Sequence, residues 1–156
     1  MLPVAQAYAA VGLPVIPLKP GGKGPVTAHG KDDATTDAGQ IERWWSETPM
    51  ANVGVRPPRG LVVLDVDMQH DGPSNLAALT QFHGELPPTW SALTGGGGCH
   101  LWFRAGGPFR GQLCKGVDIK AHTGYLVVPP SVHPNGTCYV WDNDWPIVDA
   151  RLSRVS

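Results

Sequence analysis

The stretch GLVVLDVDMQHDGPSNLAALTQFHG, residues 60–84, changes its period halfway along. Residues 61–66 are an apolar run of strand length, and two acids, Asp65 and Asp67, stand one residue apart at its end, where a strand built only to pack would carry Val or Thr. Beyond the Asp71-Gly72-Pro73 turn, Ser74 is placed to cap a helix over 75–83, with Leu76, Leu79 and Phe82 or His83 on one stripe and Gly84 as its stop. Residues two apart on a strand face the same way with β-carbons roughly 6.6 Å apart, so the two carboxylates converge. Like charges that close favour either proton uptake or a divalent cation between them. The alternative is a sheet-edge strand with both acids in water and Val62, Leu64 and Val66 on the apolar face.

Working outward, the chain alternates helix and strand signals. A helix over about 4–11 with Gly12 as its stop precedes LPVIPL, a short strand. The loop PGGKGPVTAHGKDDATT, residues 20–36, is long enough to be functional or partly mobile, and it carries Lys23 and Lys31. Thr36 or Asp37 caps a second helix in capping-box fashion with Gln40, and Ile41, Trp44 and Trp45 form its apolar face. NVGVRP reads as a strand, WSALTGGGGCHLWFRA as strand, glycine turn and strand, and the last third as strands and turns with Asn135-Gly136 marking a hairpin. Interleaved helices and mostly antiparallel strands make the class α+β.

Two further groups carry chemistry. Gly95 to Gly98 strip the side chains from a turn so that backbone amides can approach an anion, and His100 opens the next strand with Trp102 and Arg104 on its own face. The plainer alternative is a flexible hairpin loop, since the glycines match neither the P-loop nor the dinucleotide-binding pattern. In GVDIK, Asp118 shares a strand face with Lys120, which completes a third carboxylate with a basic neighbour or makes a surface ion pair. Ser131 and His133 follow Pro129-Pro130 in a rigid turn and face either the site or solvent. A zinc site from Cys99, Cys114 and Cys138 with His29, His100, His122 or His133 lacks any close Cys or His spacing.

Composition bounds the partners. The 156 residues, 42% hydrophobic with six Trp, suffice for one compact domain over 1–156 without a disulfide or structural metal. A net charge of −1, from 12 Lys and Arg against 13 Asp and Glu, argues against a broad basic surface gripping duplex DNA. Three widely spaced cysteines suit a reduced cytoplasmic protein, and the apolar start, broken by Pro14 and Pro17, reads poorly as a signal peptide or membrane span.

In order and spacing, GLPVIPLKPGGKGPVTAHGKDDATTD, IERWWSETPMANVGV, GLVVLDVD, TGGGGCHLWFR and GVDIKAHTGYLVVPPSVHPNGTCYVW resemble the bifunctional primase-polymerase (prim-pol) family of phage, plasmid and actinobacterial replication proteins. The resemblance implies a modified RRM-like sheet flanked by helices and an N-terminal αβ unit. Its acidic, small-x-His and hydrophobic-Asp motifs fall on Asp65 and Asp67, on Gly98 and His100, and on Val117 and Asp118. Implied roles are metal binding by Asp65, Asp67 and Asp118, and nucleotide contact by His100. The expected nucleotide set adds the backbone of Gly97, Gly98 and Cys99, the side chain of Ser131, and cations among Lys23, Lys31, Arg104, Lys115 and Lys120.

The implied reaction is template-directed nucleotidyl transfer in DNA replication by two Mg or Mn ions, three carboxylates being the right count. Expected partners are nucleoside triphosphates, a single-stranded or primed DNA template and, in a longer replication protein of a bacterial or phage-infected cell, a helicase or helical accessory region. The chain departs from the family's pattern at Ala121, His122 and Thr123, where a basic residue and two glycines are typical, and at Gly24, where a second basic residue is common. A metal-dependent nuclease or phosphoesterase, or a non-catalytic RRM-type nucleic-acid-binding module, are the other readings these residues allow.

Overall fold

The computed structural model describes residues 1–109 and 111–150. Among these described residues, three α-helices, α1 (Leu2–Ala10), α2 (Ala38–Glu47) and α3 (Gly72–His83), accompany ten strands. These are β1 (Val15–Leu18), β2 (Asn52–Val55), β3 (Leu61–Val66), β4 (Ser91–Leu93), β5 (Cys99–Arg104), β6 (Gln112–Cys114), β7 (Val117–Lys120), β8 (Leu126–Val127), β9 (Val140–Trp141) and β10 (Val148–Asp149). The α+β class expected from the sequence is the class observed. A small antiparallel sheet runs β1-β2-β8, and a larger one runs β6-β7-β3-β5-β4-β9, with β10 added parallel to the far end of β5.

The two faces of the larger sheet do different work because side chains alternate along each strand. Val62, Leu64, Val66, Phe103 and Val117 point one way and bury against Leu76 of α3 and Leu86. Val63 and Trp102 point the other way, into the main core with Ala5, Tyr8, Ile41, Trp45, Val53, Val55 and Leu126 from α1, α2 and the small sheet. β3 lies between β5 and β7, so its acids are not on an edge strand.

Local signals set the N-terminal unit. Asp37 caps α2 by accepting from the Gln40 amide at 2.8 Å, and Ile41 and Trp45 are fully buried while Trp44 is only partly so. The 20–36 loop is fastened: buried Asn52 donates to the Gly22 and Val132 carbonyls at 2.9 and 2.7 Å and accepts from the Val132 amide at 2.9 Å, while the Tyr125 hydroxyl donates to the Lys23 carbonyl. One amide side chain thus ties the lysine loop, β2 and the segment after β8 together.

α3 corrects the sequence reading. It begins at Gly72, two residues before Ser74, which is exposed inside the first turn and caps nothing. Asp71 takes the left-handed conformation at φ 57°, and Pro73 occupies the first turn, where its missing amide proton is not needed. Gly72 is required by close approach, since a Cβ there would stand 2.4 Å from the Gly116 carbonyl oxygen and 2.6 Å from that of Asp67. The expected stripe is buried only in part: Leu76 packs on the sheet, Leu79 is half-buried, and Phe82 is 81% exposed because the helix covers β6 and β7 and its last turn runs past them.

Candidate active site

The strand register assembles the site. Asp65 pairs with Asp118 of β7 on one side and His100 of β5 on the other, and the row continues to Gln112 on β6 and Ala92 on β4. Asp118, Asp65 and His100 therefore form a line across the sheet, on the face that buries Val63 and Trp102 farther along. Where that core ends, the face opens as a cleft of ≈ 580 Å³, within the range of small-molecule sites. Lys23, Lys115, Lys120 and Asp67 share its walls.

Asp65 is one-third exposed, and its Oδ1 lies 3.4 Å from Nε2 of the buried His100. Burial pushes the Asp65 carboxyl up, but the imidazole beside it, with the charges of Lys120 and Lys23, outweighs this and leaves it below the usual carboxylate value. The Nδ1 atom of His100 is buried without a protein partner. Across the sheet, Lys120 Nζ stands 3.8 Å from Asp118 Oδ2. Directly opposed carboxylates repel, and a cation on that face compensates.

Asp67 stands just past β3. Its amide donates to the Gly116 carbonyl at 2.7 Å, its Oδ1 accepts from the Gln69 amide at 2.8 Å, and its Oδ2 lies 2.5 Å from His70 Nδ1. The His70 contact, followed by the Gln69 bond, holds its carboxyl below the ordinary value. Both acids are thus more readily ionised in the folded chain than in the unfolded one. The stability they contribute is complete above the ordinary value of 3.8 and is lost as pH falls through their lower folded values. Urea titrations at successive pH values below about 5 should show the midpoint dropping, and the drop should be shallower in Asp65→Asn. An equally steep drop in that variant would remove Asp65 from the effect.

Several expected nucleotide contacts are used elsewhere. Ser131 is fully buried; its hydroxyl accepts from the Val53 amide at 2.8 Å and joins the two core segments. The Arg104 guanidinium donates to the Ile147 carbonyl at the far end of β5, and Lys31 pairs with Asp32 at 3.1 Å; neither lines the cleft. The Gly97 amide donates to the Thr94 carbonyl and the Gly98 amide to Thr94 Oγ1, so these two close the turn instead of facing an anion. Cys99 is not on the cleft wall either, and burial, then the Asp65 charge, push its thiol up. Gly98 is small for a packing reason: a Cβ there would meet the Val66 carbonyl oxygen at 2.0 Å.

Conversely, Gln69, His70, Gln112 and Tyr139 line the cleft without having been singled out for it, and His133 takes the first of its two expected placements, facing the cleft and not solvent alone. Only the Asp67–His70 spacing, three residues apart in a tight turn, was a legible signal; the others arrive through register and long-range packing.

The cleft acids are all carboxylates, a donor set that suits a hard divalent cation in kind. Among the described residues, no three His, Cys, Asp or Glu side chains are gathered closely enough to hold a metal ion as they stand, and this also removes support for a Cys/His zinc site. The three cysteines are free thiols, and no helix of the described residues is long and apolar enough to cross a membrane.

A family model described as bifunctional DNA primase/polymerase, N-terminal, matches residues 5–151. No curated protein matches the chain significantly.

Proposed function

Because the chain belongs to the bifunctional DNA primase/polymerase N-terminal family, we propose that its cleft carries out template-directed nucleotidyl transfer during DNA replication. The observation that supports this reading is the transverse line of Asp118, Asp65 and His100, with Asp67 beside it just past the end of β3, on the wall of a cleft of nucleotide size. Asp65, Asp67 and Asp118 would hold a pair of Mg or Mn ions, which supply Lewis-acid stabilisation of phosphoryl charge and make a 3′-hydroxyl easier to deprotonate. For Asp67 this requires releasing His70 and the Gln69 amide.

The remaining chemistry belongs to the chain itself. His100, held in the sheet, keeps Asp65 ionised and oriented toward the cleft. Lys23, Lys115 and Lys120 offset the negative charge of a nucleoside triphosphate. The cleft wall, with Tyr125, Leu126 and Val127 facing the acids from the small sheet, limits water around the reacting groups. A single-stranded or primed DNA template is the second substrate, and a helicase or helical accessory region would act with this domain in a longer protein.

The test is primer extension and de novo priming with deoxy- and ribonucleoside triphosphates, in Mg and then in Mn. Product lengthening that depends on template and metal is expected. A folded protein that adds no nucleotide under any of these conditions, or that shortens labelled DNA when nucleotides are withheld, would replace this reading with a binding or hydrolytic one.

A further inference from the structure

His133 stands at the far wall of the cleft, in a turn that fixes it from both sides. Its amide donates to the Thr137 carbonyl at 2.8 Å, its carbonyl accepts from the Gly136 amide at 2.8 Å, and the Asn135 side chain donates to the Gly95 carbonyl at 2.8 Å. The turn is thereby fastened to the glycine segment. Gly95 leaves room for the imidazole, since a Cβ at that position would lie 2.1 Å from the Cβ of His133. On its other side the ring rests against Tyr139, with centroids 6.0 Å apart, and Tyr139 in turn faces His100 at 6.2 Å.

This setting decides which ring nitrogen carries the proton. The Asn135 amide donates to His133 Nδ1 at 3.1 Å, so Nδ1 is an acceptor and the neutral ring is protonated on Nε2. The Nε2 edge borders Gly96, where a side chain would begin 3.7 Å away, and both residues line the cleft. None of the side-chain hydrogen bonds among the described residues uses that Nε2 as a donor. A fixed, free N–H donor therefore points into a cleft whose other side carries the carboxylates.

We propose that His133 is a phosphate-binding residue whose Nε2–H holds the distal phosphates of the nucleoside triphosphate. The inference rests on the nucleotide reading of the cleft. Tyr139 separates His133 from His100 by one aromatic ring, so His133 lies beyond the His100 end of the line on the same cleft, where the distal phosphates of a triphosphate whose reacting phosphorus sat at the acids would reach it. The main-chain turn around Gly97 and Gly98, occupied with its own bonds, does not supply that contact. A side-chain donor held by the neighbouring turn does.

The probes are inorganic tripolyphosphate and deoxyadenosine triphosphate, titrated calorimetrically into the intact chain without divalent metal. His133→Phe keeps the ring against Tyr139 and loses the donor, while His133→Asn keeps an acceptor for the Asn135 amide and ends short of the cleft. Both should bind tripolyphosphate about tenfold more weakly than the parent, the low end expected for a hydrogen bond to a charged group. His133→Gln, which restores an N–H at similar reach, should recover most of the loss. In turnover the Phe and Asn variants should show a raised KM for nucleotide with kcat near the parent value. Parent-like tripolyphosphate binding by either folded variant overturns the assignment, as does a parent that binds deoxyadenosine triphosphate but not tripolyphosphate. A folded parent that binds neither probe removes the nucleotide reading itself.

Discussion

Asp65→Asn is expected to lose template-directed nucleotide addition by at least about a thousandfold, since on the proposed reading the carboxylate holds metal ions that supply several kcal/mol of transition-state charge stabilisation. The substitution is nearly isosteric and leaves β3 between β5 and β7, so cooperative unfolding should persist. Asp118→Asn should be similarly impaired in activity, but its effect on stability differs. Asp65 is held ionised by His100, Lys120 and Lys23, so losing its charge forfeits folded-state interactions. Asp118 faces that same carboxylate across the strand pair, and removing one of two opposed charges should leave Tm unchanged or slightly raised. Extension assays and thermal melts on the two variants together separate these contributions. Wild-type extension rates in Asp65→Asn would withdraw the catalytic assignment, and a marked fall in Tm for Asp118→Asn would mean that its bond to Lys120 outweighs the repulsion.

Gly98→Ala carries the largest expected cost in stability. The new methyl would begin 2.0 Å from the Val66 carbonyl oxygen and 3.1 Å from its carbon, both backbone atoms at the end of the ladder between the two central strands β3 and β5. No rotamer change relieves such a contact; β3 and β5 would have to separate beside Asp65 and His100. Roughly 3 kcal/mol or more of stability should be lost, in the range reserved for overpacked cores. For a chain of this size that lowers Tm by about 6–12 °C. Gly96→Ala is the control, because a methyl there meets only His133 Nε2, at 3.7 Å. Differential scanning calorimetry should show the first variant shifted far more than the second, and equal shifts would mean that the turn relaxes around Gly98 at little cost.

How much of this was legible in the sequence depended on the range of the interaction. The Asp37 cap, the apolar face of α2 and the acids at the end of β3 are local patterns, and each is found where its neighbours in sequence place it. Ser74 misled because its cap preference competed with a nonlocal constraint: Gly72 must lie against Gly116, forty-four positions downstream, and that contact starts the helix earlier. Ser131 and Arg104 misled for the same reason. A polar side chain near a site in sequence gives no sign that the Val53 amide or the Ile147 carbonyl will claim it. The meeting of Asp118 with Asp65 is set by strand order, which neither residue's neighbours encode; only the family's shared motif order brought it within reach.

The line of Asp118, Asp65 and His100 runs perpendicular to the strands, and this sets what natural variation can adjust. Spacing between Asp118, Asp65 and His100 is one strand separation each, about 4.8 Å, enforced by backbone hydrogen bonding and indifferent to side-chain identity elsewhere. The sheet serves as a ruler for the acids. If the cleft takes nucleotide and template as proposed, selection on either would act on the lysine loop before α2 and on the turns around Gly96 and His133, which border the cleft without belonging to the ruled line. On the proposed reading, chemistry and selectivity would be carried by separate parts of the chain, and insertions in those loops would leave the spacing of the line constant.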